Sequence, residues 1–364
     1  MTWSHHNPVR IFSGKLVESG LSDYLTGKSL LLIASRSLER NGMVAKLFSM
    51  ANPDTTWTLR YVEPNPDLDS LDNLGLELRR HAFSGIVALG GGSVIDSAKA
   101  LSILLTNSSN RPLHDHFRLN IPVNFSSTIP IYCIPTTSGT GAEVTPFATI
   151  WDASLKQKYS LSNSTLYPKM AILDGTITVS LPWKETLYSA MDAMSHALET
   201  LWNRDATPIT ISLALKALDL IVSNLERVKQ GPSDILARSS ILAAANLAGL
   251  AISQNRTALA HSISYPLTAR FGVPHGLACS FTLSAIINMV QRRKSWPFAP
   301  SDETCKAIQK IIKDNKLRDL LLEYCSEDEV LGCIGEMFSP ERVKNFILDV
   351  STEDVATLLK NSLA

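Results

Sequence analysis

The sequence lacks an excess of charge of either sign. Its 364 residues include 34 Lys and Arg against 34 Asp and Glu, so the formal net charge is zero. A chain without a basic field has no general attraction for nucleic acid or for an anionic membrane surface. We therefore expect that neither nucleic acid nor a membrane is a partner.

Cysteine is scarce and long hydrophobic runs are missing. The five cysteines form no CxxC pair, and an odd number fits reduced thiols better than a disulfide framework. The N-terminus lacks a basic segment followed by an apolar run, and no uninterrupted apolar stretch approaches the length of a membrane span. These absences predict a cytoplasmic protein that is neither secreted nor inserted in a membrane.

The first half of the chain alternates strand-like and helix-like segments. Short apolar runs at 30–35, 56–62 and 85–89 predict strands, and the segments 38–50 and 68–82 between them predict helices. That alternation is typical of βαβ units and a largely parallel sheet. From residue 181 onward, Ala, Leu, Ile and Lys recur at helical spacing. The sequence thus predicts an α/β domain followed by an all-α domain.

Two polar residues stand four apart in an apolar stretch that predicts a helix. Asp192 and His196 would project from one helix face. A carboxylate in such surroundings is costly to bury without a partner. With His261 and His275 they would supply four ligands for a divalent metal. A buried hydrogen-bond network is the alternative.

Glycine- and hydroxyl-rich loops follow two of the predicted strands. One is GGGS at 90–93, and the other is PTTSGTGAEVT at 135–145, after a strand at 131–134. Glycines at such a turn let the backbone approach a phosphate, which a helix N-terminus also favours. Loops at the carboxyl ends of parallel strands flank the crevice where α/β sheets bind nucleotides. Neither loop has the GxGxxG or P-loop pattern, so ordinary tight turns are the alternative.

Four segments together match one family, in the right order and at compatible spacing. They are GGGSVIDSAKA (90–100), IPTTSGTGAEVT (134–145), LPWKETLYSAMDAMSHALE (181–199) and HSISYPLTARFGVPHG (261–276). The combination resembles the iron-containing, or group III, alcohol dehydrogenases over most of residues 8–280. The resemblance implies a Rossmann-like NAD(P)-binding domain at 1–180 and a helical metal- and substrate-binding domain at 181–364. It also implies a homodimer formed through N-terminal strands, of which 9–14 would be one.

Site residues follow from the same resemblance. It implies that Asp192, His196, His261 and His275 bind the metal. Fe²⁺ is the expected ion and Zn²⁺ the alternative, because zinc normally binds such ligands more tightly. The positions that match the family's cofactor contacts are Gly91, Gly92, Ser93, Asp96, Thr136, Thr137, Thr140, Lys158 and Leu181. A solvated lysine at 158 and a plain helix start at 181 are the alternatives there.

Two positions depart from the family pattern. Many members have an Asp that contacts the ribose where this chain has Ser35 and Arg36. Losing a carboxylate and gaining a cation favours NADPH, alongside NADH, unless Arg36 points to solvent. Tyr265 stands where alcohol-specific members often have another histidine. We expect Tyr265 to donate a proton, with solvent and the cofactor ribose as the alternative route.

The stretch 255–268 resembles the branch of the family that reduces phosphonoacetaldehyde to 2-hydroxyethylphosphonate. Arg256 would pair with the anionic group, assisted by the hydroxyls of Thr257 and Ser264. A purely structural arginine is the alternative.

The expected function is metal-dependent, reversible reduction of a small aldehyde to a primary alcohol by NAD(P)H, with phosphonoacetaldehyde as the substrate. A general short-chain alcohol dehydrogenase or aldehyde reductase is the first alternative. A lyase resembling dehydroquinate synthase and a non-catalytic binding protein are the others.

Overall fold

The computed structural model describes residues 2–155, 157–294 and 296–364. These residues form two compact units. The sheet unit comprises residues 7–137 and 142–178, and the helical unit comprises the residues up to His6, the loop 138–141 and residues 179–364. Residues 138–141 thus pack with the helices that follow much later in the chain. The division of binding roles at residue 180 stays a prediction.

The sheet unit is built on parallel strands. Runs such as SLLLIA and GIVALG are apolar almost throughout, as in strands covered on both faces. The strands are β1 (Arg10–Ser13), β2 (Ser29–Ala34), β3 (Thr56–Tyr61), β4 (Gly85–Gly90), β5 (Ile131–Pro135), β6 (Phe147–Asp152), β7 (Gln157–Ser162) and β8 (Met170–Leu173). Six of them pair in the order β1-β8-β5-β4-β2-β3, each pair parallel, while β6 and β7 form an antiparallel pair.

In the part of the chain that the structure describes, six helices accompany the sheet. They are α1 (Leu21–Leu25), α2 (Arg36–Arg40), α3 (Met43–Met50), α4 (Leu68–Leu78), α5 (Gly92–Leu104) and α6 (Pro112–Arg118). The prediction of one continuous helix over 38–50 is wrong. Gly42 adopts a left-handed conformation with φ of 80°, which divides that stretch into α2 and α3. The predicted strands are confirmed to within one or two residues.

The helical unit contains helices throughout. They are α7 (Trp183–Leu201), α8 (Pro208–Gln230), α9 (Ile235–Asn255), α10 (Leu259–Phe271), α11 (His275–Ala278), α12 (Leu283–Arg292), α13 (Asp302–Asp314), α14 (Leu317–Leu321), α15 (Glu327–Gly332), α16 (Pro340–Val343) and α17 (Thr352–Leu363). One apolar core runs through the unit, with α7 fully buried over most of its length. The fold class expected from the sequence, a parallel-sheet domain followed by a helical domain, is confirmed.

By length and hydropathy, α8 and α9 are apolar enough to cross a membrane, which the sequence inspection did not foresee. Both contribute buried residues to the apolar core of the helical unit, among them Leu218, Ile221, Ile241 and Ala248. Core helices commonly have this composition. Their apolar faces are therefore used in packing.

Candidate metal centre and nucleotide loops

Helix α7 presents three ionisable residues on one face. Asp192, His196 and Glu199 are spaced i, i+4 and i+7, and all three side chains are buried. They stand among alanines, leucines and methionines of the core. Burying two carboxylates and an imidazole in such a helix requires partners.

The four predicted metal ligands converge on one carboxylate oxygen. Asp192 Oδ1 lies 3.6 Å from His196 Nε2, 3.5 Å from His261 Nε2 and 3.8 Å from His275 Nε2. The rings of His196 and His261 are stacked, with centroids 4.7 Å apart. Donor atoms about 2.1 Å from a shared ion lie roughly 3–4 Å from one another. The spacing thus fits a single divalent ion.

His261 shows why a metal fits better than a hydrogen-bond network. Its ring is buried, and Nε2 has no hydrogen-bond partner among the described residues. Nδ1 is hydrogen-bonded to Glu199 Oε2 at 2.5 Å, which directs Nε2 toward Asp192. A buried ring nitrogen without a hydrogen-bond partner is costly, and a bound ion removes that cost.

Glu199 also belongs to the cluster, although the sequence did not single it out. It is fully buried and accepts from both the ring and the backbone N–H of His261. Metal-binding histidines usually donate their second ring N–H to such a group. The signal was available, because Glu199 lies three residues after His196 on the same helix face.

Charges in the cluster alter its proton affinities. Burial alone would raise the pKa of Asp192, but the neighbouring imidazoles, His196 foremost, hold it well below its usual range. Burial alone would lower the pKa of His261, whereas Glu199 and Asp192 outweigh it and raise that pKa to about 9. A proton on His261 therefore competes with a metal ion near neutral pH.

His275 reaches the cluster through a close approach of helices. A Cβ on the next residue, Gly276, would stand 1.9 Å from the carbonyl oxygen of Tyr188, so only glycine lets α11 lie this near α7. The His275 side chain is 32% exposed, while those of His196 and His261 are at most 6% exposed. The cluster is thus open to solvent on the His275 side.

Cys279 offers a further donor atom beside three of the predicted ligands, in a group that does not include His196. The ligand atoms of Asp192, His261, His275 and Cys279 all lie within 4.8 Å of one another. The sequence reasoning missed this residue too. It stands four residues after His275, at the same spacing that drew attention to Asp192 and His196.

The two predicted substrate residues flank His261 in sequence. Tyr265 lies one helical turn after it on α10 and is half-buried. Arg256 lies in the connection between α9 and α10, where its side chain is exposed and its backbone has φ of 59° and ψ of 178°. That backbone region is almost confined to glycine. The Ser264 hydroxyl, expected near the substrate, is buried and donates to the His261 carbonyl instead.

In the sheet unit, the two predicted cofactor loops meet. Helix α5 begins at Gly92 with Gly91 as its N-cap residue, and the Thr136 N–H donates to the Gly90 carbonyl at 3.1 Å. A Cβ on Gly91 would stand 3.0 Å from Thr137 Oγ1. The first N–H groups of a helix have no partners within it and favour an anion. This glycine turn beside two threonines fits a phosphate group.

Other predicted cofactor residues lie around that turn. Ser93 Oγ accepts from the Asn65 N–H, and Asp96 accepts from the Thr149 N–H at 2.9 Å. Burial raises the pKa of Asp96 to about 6, although the charges of Lys99 and Lys158 oppose the rise. Lys158 is on β7, with its ammonium 5.6 Å from the centre of the Trp151 ring.

Three predictions concern residues elsewhere. Ser35 and Arg36 stand at the end of β2, where Arg36 is 69% exposed and lies 3.9 Å from Glu63 and over the ring of Tyr61. Thr140 and Leu181 belong to the helical unit. The Leu181 carbonyl accepts from Arg238.

Comparison with known families identifies the chain. Residues 8–175 match the family described as iron-containing alcohol dehydrogenase, and residues 186–329 match the C-terminal region of the same family. The chain belongs to the iron-containing alcohol dehydrogenase family. A divalent iron and a nicotinamide cofactor agree with this family and with the donor cluster.

Individual relatives differ in what they are named for. The chain is 33% identical over 264 residues to the probable alcohol dehydrogenase EutG of Escherichia coli K12, covering 71% of this chain and 65% of that protein. It is 34% identical over 224 residues to the phosphonoacetaldehyde reductase of Streptomyces viridochromogenes, covering 60% of this chain and 56% of that protein. The matched region thus spans less than two thirds of these relatives.

Among solved structures, the fold is similar to a sulfoacetaldehyde reductase from Bifidobacterium kashiwanohense in complex with NAD⁺. The TM-score is 0.87 at 25% sequence identity, covering 100% of this chain and 99% of that chain.

Proposed function

We propose that this iron-containing alcohol dehydrogenase homologue is a metal- and NAD(P)H-dependent reductase that converts a small anionic aldehyde, phosphonoacetaldehyde, to its primary alcohol. The observation that carries the metal-dependent part of the proposal is the convergence of the imidazoles of His196, His261 and His275 on Asp192 Oδ1. Among the described residues, the buried His261 Nε2 has no hydrogen-bond partner. We assign these four side chains as the metal ligands. We assign the loops at 91–96 and 136–140, with Lys158 and Leu181, to the cofactor.

When bound, the metal polarises a carbonyl group and the nicotinamide supplies a hydride to its carbon. The chain's own residues then have two tasks. Tyr265 Oη donates the proton that the carbonyl oxygen takes up, so that an alcohol results. Arg256 binds the anionic group of the aldehyde and fixes the orientation of its carbonyl.

The backbone around Arg256 supports a specific role for its side chain. Asn203 Nδ2 donates to the carbonyls of Asn255 and Arg256, and Asn345 Nδ2 donates to the carbonyl of Thr257 at 2.8 Å. These bonds hold a conformation in which glycine would be easier to accommodate. Two of the compared proteins, moreover, are named for aldehydes with an anionic group, a phosphonate and a sulfonate.

A reductase of neutral short-chain aldehydes is the second candidate, because EutG is named only as a probable alcohol dehydrogenase, without an anionic substrate. Initial rates of NADPH and NADH oxidation by the Fe²⁺-loaded protein separate the two when phosphonoacetaldehyde is compared with acetaldehyde and butanal. We expect a clear preference for phosphonoacetaldehyde. Arg256→Ala should raise its KM roughly tenfold or more and leave that of butanal unchanged, because a charged hydrogen bond contributes about 1.5–3 kcal/mol.

Arg256→Lys is the matched control, since it keeps the charge and should retain part of the preference. Equal effects on both aldehydes would remove the phosphonate assignment and leave the neutral reductase. Turnover without net consumption of NAD(P)H would indicate the lyase class instead.

We also propose that Arg36 allows this enzyme to use NADPH. Its exposed guanidinium at the end of β2 is suited to a 2′-phosphate, and its pairing with Glu63 is solvent-exposed and therefore weak. Arg36→Ala should raise the KM for NADPH and leave that for NADH unchanged. A parallel rise in both values would assign Arg36 a structural role.

A further inference from the structure

We infer that the thiol of Cys279 is an additional donor to the metal, so that the bound ion has one sulfur ligand. The inference rests on the metal centre proposed above and adds a residue to it.

The geometry of the sulfur matches that of the imidazoles. Cys279 Sγ lies 3.4 Å from Asp192 Oδ1, where the three histidine nitrogens lie between 3.5 and 3.8 Å. An ion held about 2.1 Å from oxygen and nitrogen and about 2.3 Å from sulfur places such atoms roughly 3–4 Å apart. Cys279 thus occupies a ligand position by the same criterion as the histidines.

The local fold places the thiol there together with His275. The Cys279 N–H donates to the His275 carbonyl at 3.0 Å, so the two side chains stand one helical turn apart on one face. Asp192 and His196 have the same relation on α7. The turn that carries His275 and Cys279 thus approaches the turn of α7 that carries Asp192 and His196, and Gly276 permits this approach. Each turn offers two donors.

A second observation points to the same ion. His261 Nε2 is buried, has no hydrogen-bond partner among the described residues, and belongs to the donor cluster that includes Cys279 Sγ. The thiol does not form a hydrogen bond with His261 Nε2, whereas a shared ion would bind both the nitrogen and the sulfur.

The competing role for Cys279 is that of a hydrogen-bond donor to Asp192, with its sulfur away from the metal. The two roles differ in chemistry. Coordination releases the thiol proton to solvent and adds a soft ligand, which favours Zn²⁺ relative to a site of nitrogen and oxygen alone. A thiol that only donates a hydrogen bond to Asp192 keeps its proton and leaves the metal preference of the site unchanged.

The test uses the full chain loaded with Zn²⁺ or Co²⁺. X-ray absorption of the zinc protein should show a sulfur neighbour at about 2.3 Å. The cobalt protein should show a sulfur-to-metal charge-transfer band in the near ultraviolet. Cys279→Ser should abolish both signals and weaken zinc binding roughly tenfold or more, since even residues that only support a ligand contribute that much.

Cys305→Ser is the matched control, because Cys305 is equally buried in the helical unit but lies outside the donor cluster. It should keep both signals. Bound metal with only nitrogen and oxygen neighbours in the unsubstituted protein would overturn the inference while leaving the metal centre in place. Failure of that protein to bind any divalent ion would instead overturn the proposed function.

Discussion

Glu199 controls both the direction and the proton affinity of the His261 ring. The negative charge of Glu199 is the largest influence that raises the pKa of His261. Glu199→Gln keeps the shape of the side chain and removes this charge. In the unsubstituted protein, apparent zinc affinity should rise with pH up to about 9, because the metal displaces a proton that His261 loses only there.

In Glu199→Gln the dependence on pH should be weaker, and affinity at high pH should fall roughly 10- to 100-fold because the ring is held less firmly. Zinc titrations against a competing chelator at several pH values measure both effects. An unchanged pH dependence would show that Glu199 does not set the proton affinity of this ligand.

Arg256 offers a test in which stability and activity move in opposite directions. Its backbone conformation costs on the order of 1–3 kcal/mol in a residue other than glycine. Arg256→Gly should therefore raise the free energy of unfolding by about 1 kcal/mol and still impair reduction of phosphonoacetaldehyde. Thermal melts measure the change in stability, and KM values measure the loss of activity toward phosphonoacetaldehyde. If the Arg256 side chain only stabilises the packing of the helices, Arg256→Gly should lower the free energy of unfolding and change the KM of all aldehydes alike.

At this scale the sequence singled out the four side chains that cluster in the structure, but not Glu199 and Cys279 beside them. Asp192 and His196 stand out because a carboxylate and an imidazole interrupt an apolar helix. Glu199 and Cys279 are equally well spaced. Choosing them required knowing that α10 and α11 lie against that face of α7, and such contacts depend on side chains distant in sequence.

At the scale of helices, Gly276 sets how closely α11 can approach α7. Gly276→Ala places a methyl group against the Tyr188 carbonyl and 3.2 Å from Asp192 Cβ, so α11 must move away from α7. His275 and Cys279 would move with it. We expect loss of tight zinc binding and a destabilisation of about 1–3 kcal/mol, as for other overpacked interiors.

Gly332→Ala is the matched control, since a Cβ there meets nothing within 4 Å. It should leave zinc binding unchanged. Isothermal titration and denaturant unfolding compare the two variants, and normal metal binding in Gly276→Ala would show that the close approach is not required.

The same reasoning explains where the prediction of elements succeeded and failed. Apolar runs and helical spacing located β2, β4, β5 and α7, because burial on the sheet or in the core imposes those patterns. They could not show that Gly42 would adopt a left-handed conformation and end α2. Glycine permits that conformation without requiring it, so only the packed structure reveals the break.

At the scale of the whole molecule, each unit has its own apolar core, and all five cysteines are buried and free. Stability therefore rests on packing, and binding of the proposed ion would add to it by joining α7, α10 and α11. Ligand binding to the folded state alone stabilises it in proportion to RT ln(1 + [L]/Kd). The order of strands in the sheet was not predictable from the sequence, because each strand's apolar pattern is compatible with several neighbours.

That strand order bears on assembly. β1 is the first strand in the sheet and pairs with β8 alone among the described residues. The N–H groups of Arg10 and Gly14 donate toward β8, so by alternation those of Ile11 and Ser13 face outward. Ile11 is itself 38% exposed. An open edge of this kind can pair with another chain. We therefore propose the homodimer through N-terminal strands that the family resemblance led us to expect.

Ile11→Pro should convert the dimer to a monomer, because proline removes an outward N–H while the bonds toward β8 remain. Ile11→Val keeps that N–H and should stay dimeric. Sedimentation equilibrium gives the mass of each, and circular dichroism verifies that both are folded. Since the proposed metal ligands all lie in the helical unit, zinc affinity should be equal in the two variants. A dimer that survives the proline, or a monomeric unsubstituted protein, would show that β1 does not join two chains.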